Sequence, residues 1–211
     1  MYLYSIAQFE NEKKIIEIER EKAVYQFAAL KNQINPHFLF NSLNVLSSLA
    51  YKSPELTNGF AKKLSSVYRY LLSTAQQPSV TLDEEIKFVQ TYIYLEKTRF
   101  DDSIEISISD YSRWKNRDVI PASVQILVEN AIKHNIATSE HPLHINIAIG
   151  DNGITVSNNL QLRNNVAKSG IGLENLKKQY VIFGQRIEIT RTDRAFSVSM
   201  PFLENQSSLL R

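Results

Sequence analysis

Near residue 101 the spacing of apolar side chains changes from helical to alternating, so the chain must combine a helical part with a sheet-containing part. Upstream, residues 5–34 contain neither Gly nor Pro, and Phe9, Ile16, Ala23 and Leu30 recur every seven residues. The companion positions Lys13, Arg20, Phe27 and Ile34 are polar at first and apolar later. This spacing predicts a coiled-coil helix whose seam strengthens toward its C-terminal end; a surface helix with a narrow apolar stripe is the plainer alternative. Pro36 interrupts or kinks it, and an apolar helix follows over 37–50. Ser53 before Pro54 reads as an N-cap for a helix to about Ala75. Thr81-Leu-Asp-Glu is a capping box for a helix lasting to about Phe100.

Downstream, Ile104, Ile106 and Ile108 alternate as in a strand, and so do 144–149 and 154–157. Between the latter two, Asp151-Asn152-Gly153 is a hairpin signal. Pro121 opens an apolar helix over 122–135, and Gly170 and Gly172 open another that ends near Tyr180. Residues 186–190 and 195–200 read as a closing hairpin. The expected class is α+β, with a mixed or antiparallel sheet in the second half.

Composition narrows the chemistry. Among 211 residues, 24 Lys and Arg stand against 22 Asp and Glu, a net of +2, which argues against direct nucleic-acid binding through bulk charge. With no cysteine, disulfides, thiolate nucleophiles and Cys-ligated metals are excluded. No apolar run reaches the ~18 residues of a membrane span.

Three clusters carry possible chemistry. In Asn35-Pro36-His37-Phe38-Leu39-Phe40-Asn41, a His just after a helix-interrupting Pro can stand clear of packing, and Asn41 one turn later can orient it. A neutral imidazole is a ready nucleophile near pH 7, although a core or capping His is the commoner reading. In Val128-Glu129-Asn130-Ala131-Ile132-Lys133-His134-Asn135, Asn130, Lys133 and His134 share one helical face. An amide oxygen for a metal, an ammonium for phosphates and a flat ring for a base would suit a nucleotide, and a solvated polar face is the alternative. In Lys168-Ser169-Gly170-Ile171-Gly172-Leu173-Glu174-Asn175, glycines at a helix start expose N–H groups to an anion. Alone, that pattern is usually a turn.

Together these clusters resemble the LytS-type sensor histidine kinases, whose hallmark is the Pro-His-Phe-Leu-Phe-Asn box. The resemblance runs from about Lys31 to Phe202 and includes Arg69-Tyr70, Glu85, Tyr92, Glu96, Arg99 and Phe100. It implies a coiled-coil signalling helix over 1–33, a helical dimerisation and phosphoacceptor hairpin over 34–100, an ATP-binding domain over 101–203 and a loose tail over 204–211. The ATP-binding domain would be the Bergerat-type sandwich shared by histidine kinases and gyrase, a mixed sheet covered by helices on one face. By the same resemblance His37 is the phosphoacceptor, with Asn41 and Glu129 as candidate catalytic residues. Asn130 matches a Mg²⁺ ligand. Lys133, His134 and Asn135 match positions that touch ATP, as do Lys168, Gly170, Ile171, Gly172 and Leu173. Residues 158–169 match a mobile lid, in which Arg163 and Lys168 could reach phosphate, although a solvated loop charge is the commoner role for each. A homodimer, a response regulator receiver domain as partner, and a membrane-anchored sensor upstream are implied as well. The chain would then be the cytoplasmic portion of that sensor, with a natural soluble version that takes its signal from a partner as the alternative.

Two positions depart from the family pattern. An Asp-x-Gly box normally accepts a hydrogen bond from the adenine amino group. Asp151-Asn152-Gly153 has that form but falls where a hairpin turn belongs, which moves the expected adenine position to Asn158. A neutral acceptor there predicts weakened ATP binding, since a hydrogen bond to a charged group is worth ~1.5–3 kcal/mol against ~1 for a neutral pair. The residue after His37 is Phe38 instead of the acidic group many kinases carry, so a base must come from elsewhere. Glu129 is one candidate, with a packing or ion-pair role as its alternative. Autophosphorylation of His37 is the leading function; an ATP-binding dimeric scaffold with little kinase activity is the second.

Overall fold

The computed structural model describes residues 36–163 and 171–204. The coiled-coil expectation, Lys168 and Gly170 lie outside the described residues, as does the side chain of Ile171. The chain divides into two units, Met1–Phe40 and Asn41–Arg211. The described part of the first is the opening of helix α1 (Pro36–Ala50).

Local signals set the helix starts. Helix α2 (Pro54–Thr74) is capped by Ser53, whose Oγ accepts the Leu56 N–H at 3.2 Å, and Pro54 occupies the first turn, where a missing N–H costs nothing. Its buried Phe60, Leu64 and Val67 fall on one stripe and pack against helix α3 (Leu82–Phe100). The capping box at Thr81 forms: Thr81 Oγ1 accepts the Glu84 N–H at 3.3 Å, and the Glu84 carboxylate accepts the Thr81 N–H at 3.0 Å. Strand β1 (Val80–Thr81) pairs antiparallel with β3 (Asp118–Val119), tying the α2–α3 connection to the approach of the next helix.

The main sheet has five strands. Strand β2 (Ile104–Ile108) pairs parallel with β4 (Leu143–Gly150), which forms a hairpin with β5 (Gly153–Asn159). Strand β7 (Ala195–Met200) lies antiparallel to β5, and β6 (Glu188–Arg191) is the far edge, giving the order β2-β4-β5-β7-β6. The class is therefore α+β with a mixed sheet, as the alternation predicts. The first strand of the final hairpin is shifted from the expected 186–190: it begins at Glu188, where pairing with Ser199 starts, and runs on to Arg191, which pairs with Phe196.

Strand alternation sorts the two faces. Ile145, Ile147 and Ile149 of β4 and Ile154 and Val156 of β5 are buried on one face. Helix α4 (Ser123–His134) packs there, and helix α5 (Ile171–Ile182) packs on α4. The opposite face is small and polar. Ser107, Asn146, Ser157, Ser197 and Thr190 stand in register across all five strands.

Two glycines act through the backbone. Gly153, at φ 124°, begins β5, and a Cβ there would lie 2.1 Å from the Met200 carbonyl oxygen and 2.8 Å from the Pro201 Cα. Gly184, at φ 70°, ends α5, where the Gln185 N–H reaches back to the Tyr180 carbonyl at 3.0 Å. No described helix is long and apolar enough to cross a membrane.

Candidate functional site

Helix α4 carries most of the candidate residues, and it is held at three levels. Its start differs from the expected residue 122, because Ala122 adopts the left-handed conformation at φ 58° and the helix begins at Ser123. The strain is compensated by Glu85 of α3, whose carboxylate accepts the N–H groups of Ala122 (2.9 Å) and Val124 (3.0 Å). A buried anion at a helix N-terminus satisfies orphan donors and opposes the positive end of the helix dipole. Tyr70 of α2 donates to the same carboxylate at 2.6 Å. Glu85 is fully buried, and the burial pushes its pKa up to about 7 despite these three donors.

The middle of α4 is joined to α3 by a hydrogen-bonded chain. Arg99 lies 3.3 Å from the buried Glu96 carboxylate, Tyr92 hydrogen-bonds to both Glu96 and Gln125, and Gln125 Nε2 donates to Glu129 at 2.9 Å. Burial raises the Glu96 pKa, and the Arg99 guanidinium only partly offsets it. Glu129 is thus half-buried at the end of a network, with its orientation set by Gln125.

The C-terminal end of α4 is locked to the segment after β5. Asn135 is buried: its Nδ2 donates to the Ala131 carbonyl at 2.8 Å, and its Oδ1 accepts the Gln161 N–H at 2.8 Å. Arg163 Nε donates to the Asn135 carbonyl at 2.7 Å, and the Arg163 N–H to the His134 carbonyl at 3.1 Å. Both side-chain groups of Asn135 are therefore engaged inside the protein. Arg163 braces the helix end, where a cation is favoured.

Between these anchors, Asn130 and His134 are half-buried and Lys133 is exposed, on one face of α4 as the spacing predicts. Burial, with help from the neighbouring Lys133 charge, lowers the His134 pKa and favours the neutral ring. One turn before Asn130, Ile126 meets the start of α5: a Cβ on Gly172 would lie 3.4 Å from Ile126 Cγ2. Gly172 is exposed and Leu173 half-buried. Two of the three sequence clusters are thus brought together. His37 is the second residue of α1, exposed in its first described turn, and the half-buried Asn41 follows on that helix.

The two candidate adenine positions occupy opposite ends of β5. Asn158 is 6% exposed, lies on the helix-covered face in register with Ile145 and Phe196, and donates to the Asn159 carbonyl at 2.6 Å. Asp151 is in the exposed β4–β5 turn, where it accepts the Trp114 Nε1–H at 3.2 Å with Arg113 3.7 Å away. Gly153 and Asn158 are five residue steps apart along the strand, roughly 17 Å at ~3.4 Å per residue. The end carrying Asn158 is the one that leads to Gln161 and the α4 terminus.

No sequence motif gives a role to Glu85, Tyr92, Glu96 or Gln125. A signal was available: Glu85, Val89, Tyr92 and Glu96 fall at helical spacing within an otherwise apolar face of α3, where an unpaired carboxylate would be costly.

Comparison with known proteins shows what the chain is similar to. The histidine kinase family model matches residues 25–104, which include α1, α2 and α3. The match covers less than half of the chain, and over it the chain is similar to histidine kinases. Among curated relatives, the sensor protein kinase HptS of Staphylococcus aureus (strain USA300) is 29% identical over 184 residues, covering 85% of this chain and 33% of HptS. The chain thus spans about a third of the length of that relative. Among solved structures, a bacterial phosphotransferase matches with a TM-score of 0.45 and 13% identity, covering 84% of this chain and 97% of that one. The Acinetobacter baumannii histidine kinase AdeS matches with a TM-score of 0.40 and 9% identity, covering 80% of this chain and 96% of AdeS.

Proposed function

We propose that this chain is the phosphoacceptor and ATP-binding portion of a two-component sensor kinase, which phosphorylates His37 from ATP and passes the group to an aspartate of a response regulator. The carrying observation is the meeting of two motifs: the Asn130, Lys133 and His134 face of α4 adjoins the glycine-opened start of α5 at Ile126 and Gly172. In this reading 34–100 forms the dimerising hairpin and 101–203 the nucleotide domain.

The residues fit ATP with a divalent ion. Asn130 offers one amide oxygen, and Mg²⁺ characteristically takes few protein ligands and completes its shell with water and substrate phosphates. The ion supplies charge neutralisation. Lys133 is an exposed cation suited to phosphate, and the backbone N–H groups at the start of α5 point where the helix dipole favours anions. Neutral His134 offers a flat ring to the nucleotide, and Asn158 an amide oxygen for the adenine N–H. Asn135 holds the α4 end in place. Phosphoryl transfer needs chiefly positioning and charge stabilisation. The bond from a His37 ring nitrogen to the γ-phosphorus forms as the bond to the bridging oxygen breaks, ADP leaves with that electron pair, and the imidazole gives up its N–H proton. Glu129 is the candidate acceptor of that proton.

Radiolabelling from γ-labelled ATP tests the reading. His37→Ala should abolish incorporation, and Asn130→Ala should reduce it at least ~100-fold, in line with loss of a charge-stabilising group in the transition state. Persistent labelling of His37→Ala refutes the phosphoacceptor assignment. The neutral Asn158 favours one second reading, a nucleotide-binding dimeric scaffold; stoichiometric ATP binding without phosphohistidine would select it.

A further inference from the structure

We infer that Glu85 is a positioning residue that couples α2 to the start of α4, so that a displacement of the helical hairpin at Tyr70 is transmitted to the helix bearing Asn130. The inference rests on the nucleotide-site reading above and adds a route of regulation to it.

Three observations carry it. The first is connectivity. One carboxylate, borne by α3 and fully buried, joins a hydroxyl of α2 to two backbone N–H groups of α4. The second is that the α4 end of this link is not ordinary helix. Ala122 is held at φ 58°, a conformation a Cβ-bearing residue adopts only when its surroundings impose it. If Glu85 moves, the support for that conformation and two N-terminal donors go with it. The third is the buried setting. Tyr70 stacks on Phe88 of α3 with ring centroids 4.0 Å apart, which fixes the direction of its hydroxyl. Tyr180 of α5 is buried with no hydrogen-bond partner for its hydroxyl, and the Glu85 charge acts on it. Four helices therefore meet at one buried polar point. Packed interiors answer a shift by moving as a unit.

The link differs from a simple structural contact in what it predicts. A contact that only stabilises would lower the melting temperature and leave communication between ligand and hairpin unchanged. A coupling element makes ligand binding at α4 audible in α2, and the reverse follows by reciprocity. Hydrogen exchange of the full chain, with and without Mg²⁺ and a non-hydrolysable ATP analogue, reads this directly. In the wild type, ligand should slow exchange in α4 and α5 and also, about threefold or more, in the α2 segment around Tyr70. Tyr70→Phe keeps the ring and removes only the hydroxyl. It should retain protection of α4 and lose most of the ligand-dependent protection of α2. Glu85→Gln should behave likewise, and a circular-dichroism spectrum matching the wild type would verify its fold. Unchanged α2 protection in Tyr70→Phe overturns the coupling while leaving the nucleotide reading standing. No ligand protection of α4 in the wild type overturns the nucleotide reading, and the inference with it.

Discussion

The two ends of β5 look alike in sequence and differ in everything that matters for chemistry. At one end Asp151-Asn152-Gly153 has the form of an adenine-binding box. Its carboxylate is exposed, engaged by Trp114 and close to Arg113, and its glycine is required by the backbone of Met200 and Pro201. At the other end Asn158 is buried on the helix-covered face, next to the segment that meets the α4 terminus. A motif is thus recognised by where its strand puts it. The Asp-x-Gly pattern here is accounted for by a tight turn and a neighbouring strand end.

The largest expected effect breaks the turn itself. Gly153→Ala places a Cβ 2.1 Å from a carbonyl oxygen at a positive φ, so the hairpin or the β7 end must move. A loss of about 3–4 kcal/mol in chemical denaturation is expected. A loss below ~1 kcal/mol, the scale of an ordinary glycine-to-alanine change, would show that the close approach is relieved in solution.

A second test contrasts the exposed carboxylate of the turn with the buried one of α3. Folded Glu85 holds its proton to about pH 7, against an ordinary value of 4.5. Between those values the folded state binds more protons than the unfolded one, so the stability attributable to this group falls as pH rises through that window and is level above it. The expected change is ~3 kcal/mol at most, at 1.36 kcal/mol per unit. Denaturation midpoints from pH 4.5 to 7.5 should lose this component in Glu85→Gln and keep it in Asp151→Asn. An identical profile in the wild type and Glu85→Gln would remove Glu85 as the source.

The smallest effect decides between the two ends of β5. Asn158→Ala should weaken ATP binding about 5–10-fold, the scale of a neutral hydrogen bond of ~1 kcal/mol, while Asp151→Ala stays within about twofold. Asn158→Asp should tighten it, because a charged acceptor bonds more strongly. Calorimetric titration with Mg²⁺-ATP measures all three. A loss confined to Asp151→Ala would return the adenine position to the turn.

The legibility of this chain followed the range of the forces involved. Ser53 with Pro54, the Thr81 capping box, the β4–β5 hairpin and the alternation of the isoleucine strands are effects within a few residues, and each could be read in advance. The face shared by Asn130, Lys133 and His134 followed from helical period. The start of α4 was misplaced by one residue because Ala122 is held by Glu85, a residue 37 positions away. The roles of Tyr70, Tyr92, Glu96 and Gln125 escaped for the same reason. Each is a polar group on one helix whose partner is on another, and nothing local announces the partner.

By itself, then, the sequence determined the class of fold, the helix and strand periods, and the residue types available for chemistry. Tertiary structure decided which of two similar polar segments is buried on the helix-covered face and which is an exposed turn, and which carboxylates act as internal anchors. The physical reason is that burial and hydrogen-bond satisfaction belong to the assembled core. A carboxylate has the same chemistry in an exposed turn and beneath four helices, but only the second setting removes its water and makes protein donors its sole support.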